Sequence, residues 1–316
     1  MDIVELYNQK FNNIVTGKGD YLLVEYTNNV FVGMDRDGNC SMVINSSTPN
    51  QNQIMQKTKM LSLECNIAVT FELDGEMISS TVHVLKCFSD EIEEVALFLK
   101  LSVLFILDGD FSELHLLNVF KTMVDFFSNK NEPSDIELQG LFAELYAIKI
   151  FNDSINLGNY WQTKDKLEFD FSISDKLKIE VKSTLKNSRV HHFKHEQLTT
   201  YLYNIYIISF MLRYDDSGLS LYDLLIEMKD LYKNDSGRLL KIYKVLKNTP
   251  KSRLLSMKFE QSYTNAKIKV FDTKDVPKFN QLSPSGVFNA EYDCSLDNVK
   301  EIEMDSFINT IKSELQ

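Results

Sequence analysis

Two runs of strict alternation, Leu167-Glu-Phe-Asp-Phe-Ser-Ile173 and Leu177-Lys-Ile-Glu-Val-Lys182, stand three residues apart and constrain the chain more than any other feature. Each puts apolar side chains on one face of an extended segment and polar ones on the other, as a half-buried strand does. Ser174-Asp-Lys176 has the length of a hairpin loop. A hairpin centred on Asp175 sets Asp170 opposite Glu180 and Glu168 opposite Lys182, since a one-residue slip would mate apolar with polar positions. Opposed side chains in such a pair stand about 4.5–5.5 Å apart at Cβ, and two carboxylates that close repel unless a positive group lies between them. A divalent cation held by oxygen ligands, Mg²⁺ rather than Zn²⁺, meets that need. So does a bland alternative, a half-exposed hairpin with a cross-strand Glu168–Lys182 ion pair.

A third carboxylate stands upstream. Residues 138–151 are apolar nearly all round, the pattern of a buried helix, and Glu144 falls on its wheel beside Ala147, Ile148 and Phe151. A buried carboxylate needs a cation or a raised pKa. The pattern acid-x-Lys occurs three times, at Glu180–Lys182, Glu227–Lys229 and Asp272–Lys274. Glu227 lies in a helical pattern, where positions i and i+2 do not share a face. Asp272 closes a strand before polar loop sequence. Only Glu180 combines an alternating strand with an acidic strand partner.

The 316 residues carry a formal net charge of −11, which at first argues against a polyanionic partner. The charge is uneven: residues 1–130 hold 9 basic and 18 acidic side chains, whereas residues 229–258 hold 9 basic and 2 acidic. Four separated cysteines without a CxxC predict a reduced, cytoplasmic protein with no Cys-based zinc site. The acidic start is unlike a secretory leader, and no apolar run reaches membrane-spanning length, so no membrane partner is expected.

Strands at 21–26, 30–34, 66–73 and 81–88 followed by helices at 90–107, with Asp90 as its cap, and 111–127 predict an α+β N-terminal domain over 1–130. The polar segment Ser128–Asp135, with its Pro, marks the boundary, and 131–316 form a second domain. There the pattern predicts a helix at 136–151, strands at 159–163, 167–173 and 177–184, a His-rich turn, and a short helix at 194–201. A buried strand at 204–214, helices at 220–233 and 237–247, a pair of strands within 258–271 and a helix at 304–315 complete it.

Secondary features each have a bland counterpart. Arg189-Val-His-His-Phe-Lys-His195 holds three of the five histidines; it lacks a fourth ligand for zinc, and phosphate contact by His192 stands against a solvated turn. Gln197 and Tyr201 are spaced i, i+4 on one helix face, where Tyr201 could equally be core. Arg238, Lys241, Lys244 and Lys247 line one face of a helix, either a phosphate-tracking surface or a solvated one. Trp161, the only Trp, reads as core.

Helical Glu144, then Asp170, then Glu180-x-Lys182 resembles the PD-(D/E)XK nuclease superfamily. More narrowly, Gly140-Leu-Phe-Ala-Glu-Leu145, Trp161…Phe169-Asp-Phe171, Ile179-Glu-Val-Lys-Ser-Thr184, His192…Glu196-Gln-Leu198 and Leu282-Ser-Pro-Ser-Gly-Val287 resemble the bacterial "PD-(D/E)XK motif protein" family found beside restriction and phage-defence genes. The match is clearest over 136–290. Phe169 stands where the superfamily pattern has Pro. The resemblance implies an α/β restriction-endonuclease-like core, a mixed β-sheet flanked by helices, preceded by the smaller α+β domain. It also implies a Mg²⁺-dependent DNA endonuclease, with Mn²⁺ able to substitute. Asp170, Glu180 and the carbonyl of Val181 would hold the ion, Glu144 a second ion or its water, and Lys182 would position or deprotonate the attacking water. The Gln197/Tyr201 pair resembles the QxxxY motif of the RecB-like branch. Ser183, His192, Gln197, Tyr201, Arg238, Lys241 and Lys244 would contact DNA or support the site. DNA, other restriction or defence proteins and a second copy of the chain are the partners implied. The alternative is a catalytically silent, nuclease-like DNA-binding or assembly subunit.

Overall fold

The computed structural model describes residues 1–11, 19–46, 53–128, 131–163, 169–279 and 286–315. The chain divides into two units, Met1–Lys130 with Asn234–Ser236, and Asn131–Lys233 with Gly237–Gln316. Among the described residues, no helix is long and apolar enough to cross a membrane.

The first unit opens with helix α1 (Ile3–Phe11), followed by strands β1 (Tyr21–Thr27), β2 (Val30–Asp35), β3 (Cys40–Asn45), β4 (Ile54–Lys57), β5 (Leu61–Leu73) and β6 (Glu76–Cys87). Helices α2 (Ile92–Ile106) and α3 (Glu113–Ser128) complete it. The strands lie in the order β1-β2-β3-β6-β5-β4, and β1 also pairs in parallel with β5, closing a ring of five. Inward side chains from the whole ring, Leu23, Phe31, Val43, Phe71 and Val84 among them, form its core. A bulge between Glu64 and Ile67, with Asn66 at a φ of 56°, bends the long β5. The sequence patterns do not reveal β3, because Cys40-Ser-Met-Val-Ile44 is buried on both faces and does not alternate. Asp90 does not cap α2: Glu91 holds the N-cap position and makes no side-chain bond there.

The second unit begins with helix α4 (Asp135–Ile155), started by a capping box in which Ser134 and Glu137 satisfy each other's backbone amides. It ends where Asn156 adopts the left-handed conformation, φ 49°. Strands β7 (Phe171–Ser172), β8 (Leu177–Thr184) and β9 (Val190–Lys194), helix α5 (His195–Thr199), and strands β10 (Asn204–Met211) and β11 (Tyr214–Ser220) follow. Next come helices α6 (Leu221–Leu231), α7 (Ser236–Asn248) and α8 (Lys251–Ser256), strand β12 (Lys258–Phe259), helix α9 (Gln261–Lys267), strands β13 (Lys269–Asp272) and β14 (Glu291–Ser295), and helix α10 (Met304–Glu314).

The central sheet is mixed, in the order β13-β10-β8-β7, with β10 parallel to β8 and antiparallel pairs at both edges. One face of it meets helices: Tyr206 packs on Phe307 of α10, which packs on Phe151 of α4. On the other face, Ile207 and Phe271 join Phe193, Leu198, Val276 and Leu296 in a second cluster under β9, α5 and β14. This is a mixed α/β architecture, consistent with the core that the resemblance implies, with helices on one face of the sheet and β9, α5 and β14 on the other.

Three expectations are corrected. Residues 159–163 do not form a strand: a 3₁₀ turn, Leu157–Tyr160, leads to a single bridge between Trp161 and Phe171, because Asn156 ends α4 in a left-handed stop. The His-rich segment is not a turn but strand β9, paired with β14. Between β12 and β13 runs the short helix α9, where only strands were expected. Leu167 and Glu168, at the start of the expected strand 167–173, lie outside the described residues, as do most of the family motif at 282–287 and part of the 128–135 boundary segment.

Candidate active site

The hairpin takes the register required by its apolar faces: Phe171 lies opposite Ile179 and Ser172 opposite Lys178. Asp170 sits at a bend just before this ladder. It compensates for the lost strand pairing, since its Oδ2 accepts the Val181 amide at 2.7 Å. Across from it, Glu180 is 6 % exposed. Glu180 Oε1 accepts Lys182 Nζ at 2.7 Å and Gln197 Nε2 at 2.9 Å. Glu180 Oε2 is buried with no hydrogen-bond partner among the described residues. Period two puts Lys182 on the same face as Glu180, where it also rides 5.1 Å above the Phe193 ring. Gln197, on the first turn of α5, is fixed by the Lys194 amide at 3.2 Å.

Burial, and then the charges of Glu180 and Glu144, push the Asp170 carboxyl well above the usual carboxylate range, against the pull of the Val181 amide and Lys182. Burial also raises Glu180, although Lys182 and Gln197 oppose it. His191, one strand away, is pushed down to about 4 by burial and by Lys182 and Arg189, so it stays neutral. Burial disfavours the ionised form of both carboxyls, and Glu180 Oε2 has no hydrogen-bond partner among the described residues, so added positive charge would stabilise the pair. Hard oxygen donors of this kind suit a small divalent cation.

Glu144 comes from α4. Its Oε2 accepts the Trp161 indole N–H at 2.7 Å and Lys241 Nζ at 2.9 Å. Its charge is felt at Asp170, yet no group of three or more His, Cys, Asp or Glu side chains converges on a common metal position among the described residues. The expected set of Asp170, Glu180 and Glu144 is thus a pair of carboxyls with a third held by other partners. Val181 contributes its amide to Asp170.

The remaining candidates scatter. Ser183 Oγ accepts Gln139 Nε2 at 3.0 Å. His192 is exposed between Asp293, at 3.0 Å, and Glu291, at 3.2 Å, and those bonds raise its pKa. Phosphate contact by His192 would have to compete with these two flanking carboxylates. Tyr201 lies beyond the end of α5, is 89 % exposed and does not share a helical face with Gln197, which corrects the i, i+4 reading. Arg238 caps the Asn159 carbonyl and stacks 5.2 Å over Tyr232. Lys241 turns inward to Glu144, and Lys244 lies half-buried one turn further on. Sequence reasoning missed Trp161 as a site residue. A solitary buried indole N–H needs an acceptor, and Glu144 was the nearby buried carboxylate in need of a donor.

A family model described as "Putative PD-(D/E)XK family member, (DUF4420)" matches residues 21–297. No curated protein and no solved structure matches the chain.

Proposed function

The chain belongs to the PD-(D/E)XK-like family DUF4420, and from that premise we propose that it is a metal-dependent DNA endonuclease. The observation that carries the reading is Glu180 Oε2, buried with no hydrogen-bond partner among the described residues, beside Asp170, whose carboxyl pKa burial raises, with Lys182 on the same face. Asp170 and Glu180 would hold Mg²⁺, with Mn²⁺ able to replace it. The ion, when bound, supplies Lewis-acid charge at the scissile phosphate and makes water a better nucleophile.

The chain's own residues do the rest. Asp170, whose carboxyl burial and its acidic neighbours hold above the usual range, would have to be ionised to hold the ion, and the ion's charge would favour that form. Lys182, steadied by Glu180, Gln197 and the Phe193 ring, presents a fixed ammonium to the charge that grows on the phosphate oxygens as water attacks. Gln197 bonds both Glu180 and Lys182, so neither side chain has to reorganise during the reaction. A restriction or anti-phage setting, with protein partners that bring the acidic chain to DNA, belongs to the same proposal and rests on the resemblance of its motifs.

One observation favours a second reading, a catalytically silent DNA-binding or assembly subunit: Glu144 is bound to Lys241 and Trp161 and does not join the two carboxyls. Plasmid DNA incubated with Mg²⁺, Mn²⁺ or EDTA separates the two. Metal-dependent cutting that falls roughly 100-fold or more in Lys182→Ala is expected for the enzyme, in line with removal of one transition-state donor. Retarded migration of DNA with no cutting in any metal would instead establish the silent subunit.

A further inference from the structure

Lys241, read from the sequence as part of either a phosphate-tracking or a solvated helix face, is held by three groups of the protein itself. Its ammonium donates to Glu144 Oε2 at 2.9 Å and to the Gln162 carbonyl at 3.2 Å, and it lies 4.2 Å from the centroid of the Trp161 ring. Its side chain is 28 % exposed and that of Glu144 17 %. One turn earlier Arg238 grips the Asn159 carbonyl, so α7 is tied through two side chains to the segment that joins α4 to β7. Fixing a flexible lysine against three partners costs side-chain entropy that a freely tracking surface cation would not incur.

We propose that Lys241 is a positioning residue whose ammonium does at Glu144 what a second divalent ion would do, so that the chain binds a single ion, at Asp170 and Glu180. The inference rests on the metal-dependent reading above. Charge balance supports it. Among the described residues, with Asp170 and Glu180 ionised as binding an ion requires, three carboxylates, Asp170, Glu180 and Glu144, stand against two ammonium groups, Lys182 and Lys241, which leaves one net negative charge for a divalent ion to overcome. A second ion would leave a strongly positive, largely buried site with no further carboxylate among the described residues to offset it until substrate arrives. The Trp161 indole holds the same Glu144 oxygen as Lys241, so the carboxylate is fixed in one orientation.

Titration of the full chain with Mn²⁺, followed by the electron paramagnetic resonance signal of free Mn²⁺, counts the ions bound without any reading of activity. One ion per chain is expected for the native protein, none for Asp170→Asn and still one for Glu144→Gln. Lys241→Gln is expected to open a second position and bind two, while Lys241→Arg, which keeps the charge, returns to one. Lys241→Met, which preserves the apolar stem over Trp161, carries the same expectation as Lys241→Gln if that variant does not fold. Two ions on the native chain, one of them lost in Glu144→Gln, would overturn the inference and leave the metal-dependent reading standing. A count that stays at one in the neutral Lys241 variants would also overturn it. No ion bound by the native chain would overturn the metal-dependent reading, and this inference with it.

Discussion

Asp170 is where chemistry and stability oppose each other most directly. Burial and its acidic neighbours raise its folded pKa well above the value of about 3.9 that an unfolded chain shows. The folded state therefore keeps a proton that the unfolded state gives up. Stability from this source is complete below about pH 4 and is lost as pH rises toward the raised folded pKa. A bound cation favours the ionised form and should reverse the loss. The metal-free protein is accordingly expected to melt at progressively lower temperature, relative to Asp170→Asn, as pH rises above 4. At neutral pH the Asn variant should be the more stable of the two, because it has no carboxyl to ionise in the buried site. Mg²⁺ should raise the melting temperature of the native chain and not that of Asp170→Asn. Parallel melting curves for the two proteins at every pH would refute the account.

At the scale of elements, what could be read from the sequence followed what the hairpin's alternation controls. Register between β7 and β8, the extent of β8 from Leu177 to Thr184, and the common face of Glu180 and Lys182 all come from period-two patterning. The pairing of β9 with β14 did not show, because it joins residues about 100 positions apart and His191-His-Phe has no strong alternation. The turn that brings Trp161 to Glu144 was hidden too: its conformation depends on a tight approach, not on a pattern. A Cβ at Gly158 would overlap the Tyr232 hydroxyl and press on Ile148, and Tyr232 in turn stacks against Trp161. Gly158→Ala should cost about 1–3 kcal/mol, as overpacking in a buried site does. Trp161 is the only Trp in the chain, so its fluorescence reports the disturbance directly. A shift of the emission maximum together with a lower unfolding midpoint is expected. Native fluorescence and an unchanged midpoint would show that Tyr232 yields at no cost.

Over the whole molecule, a net charge of −11 sets a weak electrostatic background for any polyanion, and the segment 229–258 is the one strong exception. Its nine basic side chains are not all available to phosphate. Lys241 is bound to Glu144, Arg238 to the Asn159 carbonyl, and Arg253 to Glu132 and Asp135. If the full excess of seven positive charges neutralised phosphates, log K would fall against log salt with a slope of about −6. With these three cations committed within the protein, the slope for duplex DNA should be no steeper than about −4. Affinity for duplex DNA at physiological salt should be correspondingly low. Fluorescence anisotropy of labelled duplex between roughly 50 and 200 mM salt, with EDTA present to prevent cutting, measures the slope. Lys241→Gln should leave it unchanged, because a cation already paired with Glu144 releases no counterion. A slope near −6 that becomes shallower by about one unit in Lys241→Gln would mean that the basic helix meets DNA directly and that Glu144 does not hold Lys241 in solution.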